Sequence, residues 1–245
     1  IFTYFVVYCL SLSAVEASYI TGSSQLISIV AVTITIALCY KFGSRKAFNV
    51  AAIVVSVTCL GYVCLTGLKG TQILVPALIV IATVNFMGRA ACDYIPVFQL
   101  PFMADIDEAV TMQRREGIFS GANGFLGKIA SASEAFILGA ILEASGFVKG
   151  QTVQPEAAVH TITIMTVVVP ITLLFLCFLF ARRLKLTKES HKILVDEVNR
   201  VKAGGDKAAV TSEAKQAIED LTGYDYEHCF GNNNVGYHEK SAVNM

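Results

Sequence analysis

Tryptophan is absent from this 245-residue chain, and charge is scarce: Asp, Glu, Lys and Arg make up only 16% of it. A soluble domain of this length needs more charge than that to cover its surface. The missing indoles leave Tyr and Phe to serve at any membrane interface. Cysteine is present seven times (Cys9, Cys39, Cys59, Cys64, Cys92, Cys177 and Cys229), an odd number with no CxxC spacing. That pattern supports neither a disulfide framework nor a zinc site. Most of these thiols sit in or beside apolar runs, where Cys behaves as a small hydrophobe. No charged region precedes the apolar opening and no small-residue cleavage site follows it, so a signal peptide is not expected. The chain starts on Ile1 inside that run, which reads as the end of a helix whose start is missing.

What is present is apolar sequence in long runs. Hydrophobic residues make up 54% of the chain, and the mean hydropathy is +0.60. Crossing a hydrocarbon core of about 30 Å takes about 20 residues of helix. Five stretches reach that length, at 19–40, 47–68, 72–100, 118–144 and 158–181. The fold class expected is therefore all-α, a polytopic membrane helical bundle. Residues 1–186 form the transmembrane part and 187–245 a polar tail. Ile193, Leu194, Val198 and Val201 recur at helical spacing, predicting a short amphipathic helix over 187–203. From Gly204 onward, through the polar run Gly231 to Asn234, no structure is predicted.

Basic residues set the expected orientation. Lys41, Arg45 and Lys46 separate the first two spans, Arg114 and Arg115 the third and fourth, and Arg182, Arg183, Lys185 and Lys188 follow the fifth. All three groups fall on one side, which the rule makes cytoplasmic, and the tail with them. A plasma-membrane location is expected in preference to an organelle.

Ionisable groups deep in a span are costly, about 2.5–3.5 kcal/mol each on insertion scales, and usually face a cavity or a partner. Asn85, Arg89 and Asp93 recur every fourth residue and form a polar stripe, with Arg89 and Asp93 able to pair. Pro96 and Pro101 follow, and each removes a backbone donor. Such a stripe lines a substrate path or ties two packed helices together. Lys128 lies deep in the fourth span with no acid three or four positions away, and Glu134 follows on another face. Lys128 is the leading functional candidate; the competing reading is a snorkelling structural lysine. Gly117 and Gly121, with further Gly, Ala and Ser, give this span a small-residue surface suited to close packing or to sliding. Between the third and fourth spans, Asp105, Asp107 and Glu108 precede Arg114 and Arg115. This charged loop suits a salt-bridged gate, and equally an inert solvated loop.

The order Ala104-Asp105, an acidic cluster, Arg114-Arg115-Glu116-Gly117, then Lys128 in a Gly/Ala-rich helix resembles the glycoside–pentoside–hexuronide:cation symporters, the melibiose-carrier branch of the major facilitator superfamily. Arg182-Arg183-Leu184-Lys185-Leu186-Thr187-Lys188-Glu189-Ser190-His191 is similar to that family's sequence after its last helix. The stretch between Asp105 and Arg115 is shorter than the family's, and the Thr-Gly before the basic pair is absent. The resemblance implies twelve helices in two six-helix bundles, of which this chain supplies the C-terminal half with its first helix truncated. It implies secondary active symport of a sugar or related solute. Lys128 then matches a coupling lysine, Asp105 the Ala-Asp motif, and the coupling cation, Na+ or H+, is held mainly by the missing N-terminal bundle. The implied partners are lipid, solute, cation and that bundle, with no nucleic acid, no metal site and no cofactor. Other readings are the same fold carrying a lipid-like or amino-acid-like solute, or a non-transporting scaffold or truncated product. No catalytic constellation sits at depth, and His160 lies near a span end, so an enzyme is not expected.

Overall fold

The computed structural model describes residues 1–232. Eight α-helices follow in order among these residues: α1 (Phe2–Tyr4), α2 (Ala14–Phe42), α3 (Ser44–Thr66), α4 (Leu74–Thr111), α5 (Glu116–Ala144), α6 (Glu156–Ala181), α7 (Lys188–Lys202) and α8 (Ser212–Thr222), with no strand among them. Helices α2 to α6 are each long and apolar enough to cross a membrane. The chain divides into two compact units. One comprises Ile1–Val97 with Gly127–Arg183; the other comprises Phe98–Leu126 with residues 184–232.

In the first unit, α1 runs into a π-helical turn, Phe5–Cys9, closed by the Leu10 N–H donating to the Phe5 carbonyl at 3.1 Å. The break after it frees α2 to start on its own cap. The Ser13 hydroxyl accepts from the Glu16 N–H at 3.1 Å, and the Glu16 carboxylate accepts from the Ser13 N–H at 2.8 Å. This reciprocal pair satisfies two donors that a helix start otherwise leaves unpaired. Gly43, at φ +85°, ends α2 and caps α3 at once. Only glycine takes that left-handed backbone without steric cost.

The core of this unit is built from Phe5, Val6, Tyr62, Leu65, Leu78 and Ile162, all fully buried. Lipid tails are as apolar as these side chains, so close van der Waals fit holds such a core better than exclusion of water does. Helices α3 and α4 approach closely at Gly88, where a Cβ would stand 2.8 Å from Val55 Cγ2 and 3.2 Å from Val54 Cγ1. Several hydroxyls in the spans donate to a carbonyl one turn back in their own helix, as Thr35 does to Ala31 at 2.7 Å and Ser56 to Ala52 at 2.8 Å, while Ser24 of α2 and Thr83 of α4 bond each other at 3.2 Å.

The second unit holds the ends of α4 and α5 together with α7 and α8. Helix α7 starts on another reciprocal cap: the Thr187 hydroxyl accepts from the Ser190 N–H and the Ser190 hydroxyl accepts from the Thr187 N–H. Helix α8 starts on Thr211, whose hydroxyl accepts from the Ala214 N–H at 3.2 Å, and ends at Gly223 with φ +73°. A small apolar core joins Ala109 of α4 to Leu194 and Val198 of α7, Ile218 of α8, and Tyr226, Cys229 and Phe230 beyond it.

Two sequence expectations change here. The stretch after residue 100 is not a loop: α4 continues to Thr111, so Asp105, Asp107 and Glu108 stand on its last turns and only 112–115 connect it to α5. Ala104, Ala109 and Val110, which flank these acids, are buried, which keeps the turns helical despite the preceding prolines. The segment after Gly204 is also folded as far as it is described, because Val210, Ala214, Ile218 and Leu221 give it an apolar face that packs with α7. Asn233 and Asn234 lie outside the described residues.

Candidate functional site

The acids and bases singled out around residues 105–115 meet in the second unit. Helix α4 presents Asp105, Asp107 and Glu108 on adjoining positions of its last turns, and Met112, at φ +58°, turns the chain back so that Arg114 and Arg115 reach them. Arg115 lies bidentate on Asp107, with Nε 2.8 Å from Oδ2 and Nη2 2.5 Å from Oδ1. Arg114 is shared: Nη1 stands 3.0 Å from Asp105 Oδ1 and 3.5 Å from Glu108 Oε2, and Nη2 2.6 Å from Glu116 Oε1. Parallel guanidinium–carboxylate bonds carry directional specificity that a point charge lacks. Hydrogen bonding to Asp107 holds the Arg115 proton more tightly than usual, and Glu116 with Asp105 does so for Arg114.

Two members of this cluster come from α7. His191 Nε2 lies 2.8 Å from Asp105 Oδ2, with the ring edge-on to Phe102 at 4.7 Å between centroids. Lys202 Nζ stands 2.5 Å from Glu108 Oε1. Every acid of the α4 end is therefore paired, and the acids are mostly shielded, with Asp105 and Asp107 side chains 14% exposed and Glu108 10%. His191 was visible in sequence only as part of the segment after the last span, and Lys202 carried no signal at all; both lie far along the chain from their partners.

A second charged group extends from α7 into the tail. Arg200 donates twice to Glu197, Nε to Oε2 at 2.8 Å and Nη2 to Oε1 at 2.7 Å, and the Tyr226 hydroxyl donates to Glu197 Oε1 at 2.5 Å. The Arg200 guanidinium, then the Tyr226 hydroxyl, holds the Glu197 carboxyl below the usual carboxylate range against the opposing effect of burial. Burial, then the neighbouring Glu197, pushes the Tyr226 phenol up.

The candidates within the spans are not brought together in the same way. Asn85 is buried and its Nδ2 donates to the Thr58 hydroxyl of α3 at 2.8 Å. Arg89 and Asp93 lie exposed, and neither forms an ion pair among the described residues, so the expected Arg89–Asp93 bridge is not made. Steps of four residues rotate by about 40° each, so the stripe that touches α3 at Asn85 has swung off that face by Asp93, which leaves both charges exposed. On α5, Lys128 and Glu134 are both exposed without an ion-pair partner among the described residues. A Cβ on Gly117, Gly121, Gly124 or Gly127 would meet nothing within 4 Å, so these glycines have open space beside them. Among the described residues, no cluster of His, Cys, Asp or Glu is placed to hold a metal ion.

Comparison with known proteins agrees with this architecture. Residues 1–188 match the model of a family described as MFS/sugar transport protein. A curated relative from Synechocystis, named an uncharacterized symporter, is 31% identical over a segment covering 43% of this chain and 20% of that protein. The matched segment thus spans about a fifth of the relative's length. No solved structure matches the chain. With membrane-length helices and a family match across most of its length, the chain is a multi-pass membrane protein that belongs to the MFS/sugar transport family.

Proposed function

We propose that this chain forms the C-terminal bundle of a secondary active transporter, moving a sugar or related small solute with a cation, Na+ or H+, by alternating access. The observation that carries the reading is the family match over residues 1–188, and the symporter name of the Synechocystis relative favours coupled transport. The second bundle supplies most of the cation site, and solute binds near the midplane between the two. Lys128 and Glu134 on α5, with Arg89 and Asp93 on α4, face that cavity. The paired cluster of Asp105, Asp107, Glu108, Arg114 and Arg115 works as the cytoplasmic gate. Arg114 suits this task, because its half-exposed guanidinium is shared among three acids and can exchange partners as the states interconvert. The tail lies on the cytoplasmic side of the plasma membrane.

The test is reconstitution of the full-length protein in liposomes, with uptake of radiolabelled sugars measured under an imposed Na+ or proton gradient. Gradient-dependent accumulation of one sugar class supports the reading. Equilibration at the same rate with either gradient collapsed removes the coupling, and no uptake of any sugar moves the proposal to another solute class.

A further inference from the structure

The end of α4 is fastened by a segment that arrives from far along the chain. The Phe230 N–H donates to the Ala109 carbonyl at 2.8 Å, and the Gly231 N–H to the Val110 carbonyl at 2.9 Å. The last four carbonyls of any helix lack partners within it; two near the end of α4 are taken by this segment. The attachment is anchored by side chains. Tyr226, Cys229 and Phe230 are buried beside Ala109, Leu194 and Ile218, and Lys207 Nζ lies 3.5 Å from the Phe230 carbonyl and over its ring. Phe230 adopts φ +57° and Gly231 φ +85°. A bulky residue holds a left-handed backbone only where its surroundings over-determine it. The same turn of α4 carries Glu108, which both Arg114 and Lys202 hold.

We propose that residues 206–231 form a strap that fastens the α4–α5 hairpin in its paired arrangement, so that its ion pairs rearrange only after the strap lifts. The strap's place in a transport cycle rests on the reading of that hairpin as a gate; its docking does not. The strap carries its own reporter, since Cys229 is a free thiol that is fully buried only while the strap is docked.

The experiment follows maleimide labelling of Cys229, read by mass spectrometry of its peptide, in the full-length protein purified in detergent. In parallel, trypsin cleavage after Arg114 and Arg115 reports the hairpin. Cys229 is expected to label at least about tenfold more slowly than in urea, as for a group released only by local opening. Phe230→Asp, which puts a carboxylate in the apolar pocket, brings labelling to the urea rate and speeds hairpin cleavage by at least about fivefold. Gly231→Pro removes one of the two N–H donors and, locked near φ −65°, cannot hold the Gly231 backbone at φ +85°; it shifts both readouts in the same direction without burying a charge. Wild-type Cys229 labelling at the urea rate overturns the docking. Variants that free Cys229 while cleavage stays at the wild-type rate overturn the fastening of the hairpin. Neither readout requires a transported solute, so a failed uptake assay with both shifts present leaves the strap standing whatever solute the transport reading is moved to.

Discussion

Asp107 and Arg115 face each other through two parallel hydrogen bonds, one on each carboxylate oxygen. The neighbouring Arg114 divides its guanidinium among three acids instead. The two arginines, adjacent in sequence, therefore have different tasks: Arg115 fixes a direction and Arg114 pools charge. A double-mutant cycle on Asp107→Ala and Arg115→Ala is expected to give a larger coupling energy than one on Glu116→Ala and Arg114→Ala. Arg115→Lys is expected to recover less than half of the Asp107 coupling, because an ammonium cannot reproduce the fork. Thermal unfolding midpoints of the purified variants check both orderings.

Gly88 predicts a packing cost in the first unit. An added methyl there meets two valines of α3 well inside contact distance, so Gly88→Ala is expected to destabilise by about 1–3 kcal/mol. Val55→Ala in the same chain should restore part of the loss. Gly124→Ala, with nothing nearby, should not lower the melting temperature, since alanine is the better helix former. Denaturation in detergent distinguishes the three.

Lys128→Ala is expected to abolish or uncouple transport while expression and membrane insertion stay normal, since Lys128 supports no ion pair among the described residues. Coupled uptake at the wild-type rate would remove Lys128 from the cavity. Arg89→Ala and Asp93→Ala, unpaired here, are expected to act additively on stability to within about 0.5 kcal/mol. A compensating double variant would restore the direct bridge that the four-residue spacing suggested.

The Glu197–Arg200–Tyr226 group sets a pH dependence for the tail. The carboxyl of Glu197 is depressed in the folded protein, so its stabilisation is present above the ordinary Glu value of about 4.3 and fades as pH falls through the lower folded value. The Tyr226 phenol is raised, so its contribution is complete below about pH 10 and fades as pH rises through the folded value. Tail docking is therefore expected to be flat between these limits and to weaken at both ends. Tyr226→Phe should cost about 1–2 kcal/mol in the plateau and remove the alkaline limb. Denaturant titrations across pH, with tyrosinate absorbance following the phenol, test this.

The parts of this architecture that could be read in sequence are those that depend on local chemistry. Span length and apolar content mark α2 to α6 because a bilayer demands about 20 residues of helix whatever the neighbours. The Asp107–Arg115 pair was within reach because the partners are near one another along the chain. His191 and Lys202 were not, since only the packing of α7 on the end of α4 brings them to Asp105 and Glu108. The fold of residues 204–232 was missed for a related reason. Val210, Ala214, Ile218 and Leu221 have helical spacing, and Thr211 and Gly223 mark the ends of α8, but the many polar residues between them read as a solvated tail. The extension of α4 past two prolines was hidden too, because its acids suggested a loop while the buried alanines beside them hold a helix.

Gly43 has a mechanical consequence. A joint of one residue between α2 and α3 has almost no slack, and its backbone angle excludes other residues without strain. The ends of α2 and α3 therefore stay within one residue of each other in any motion of the bundle, and lengthening the elbow by a few flexible residues would remove that tether.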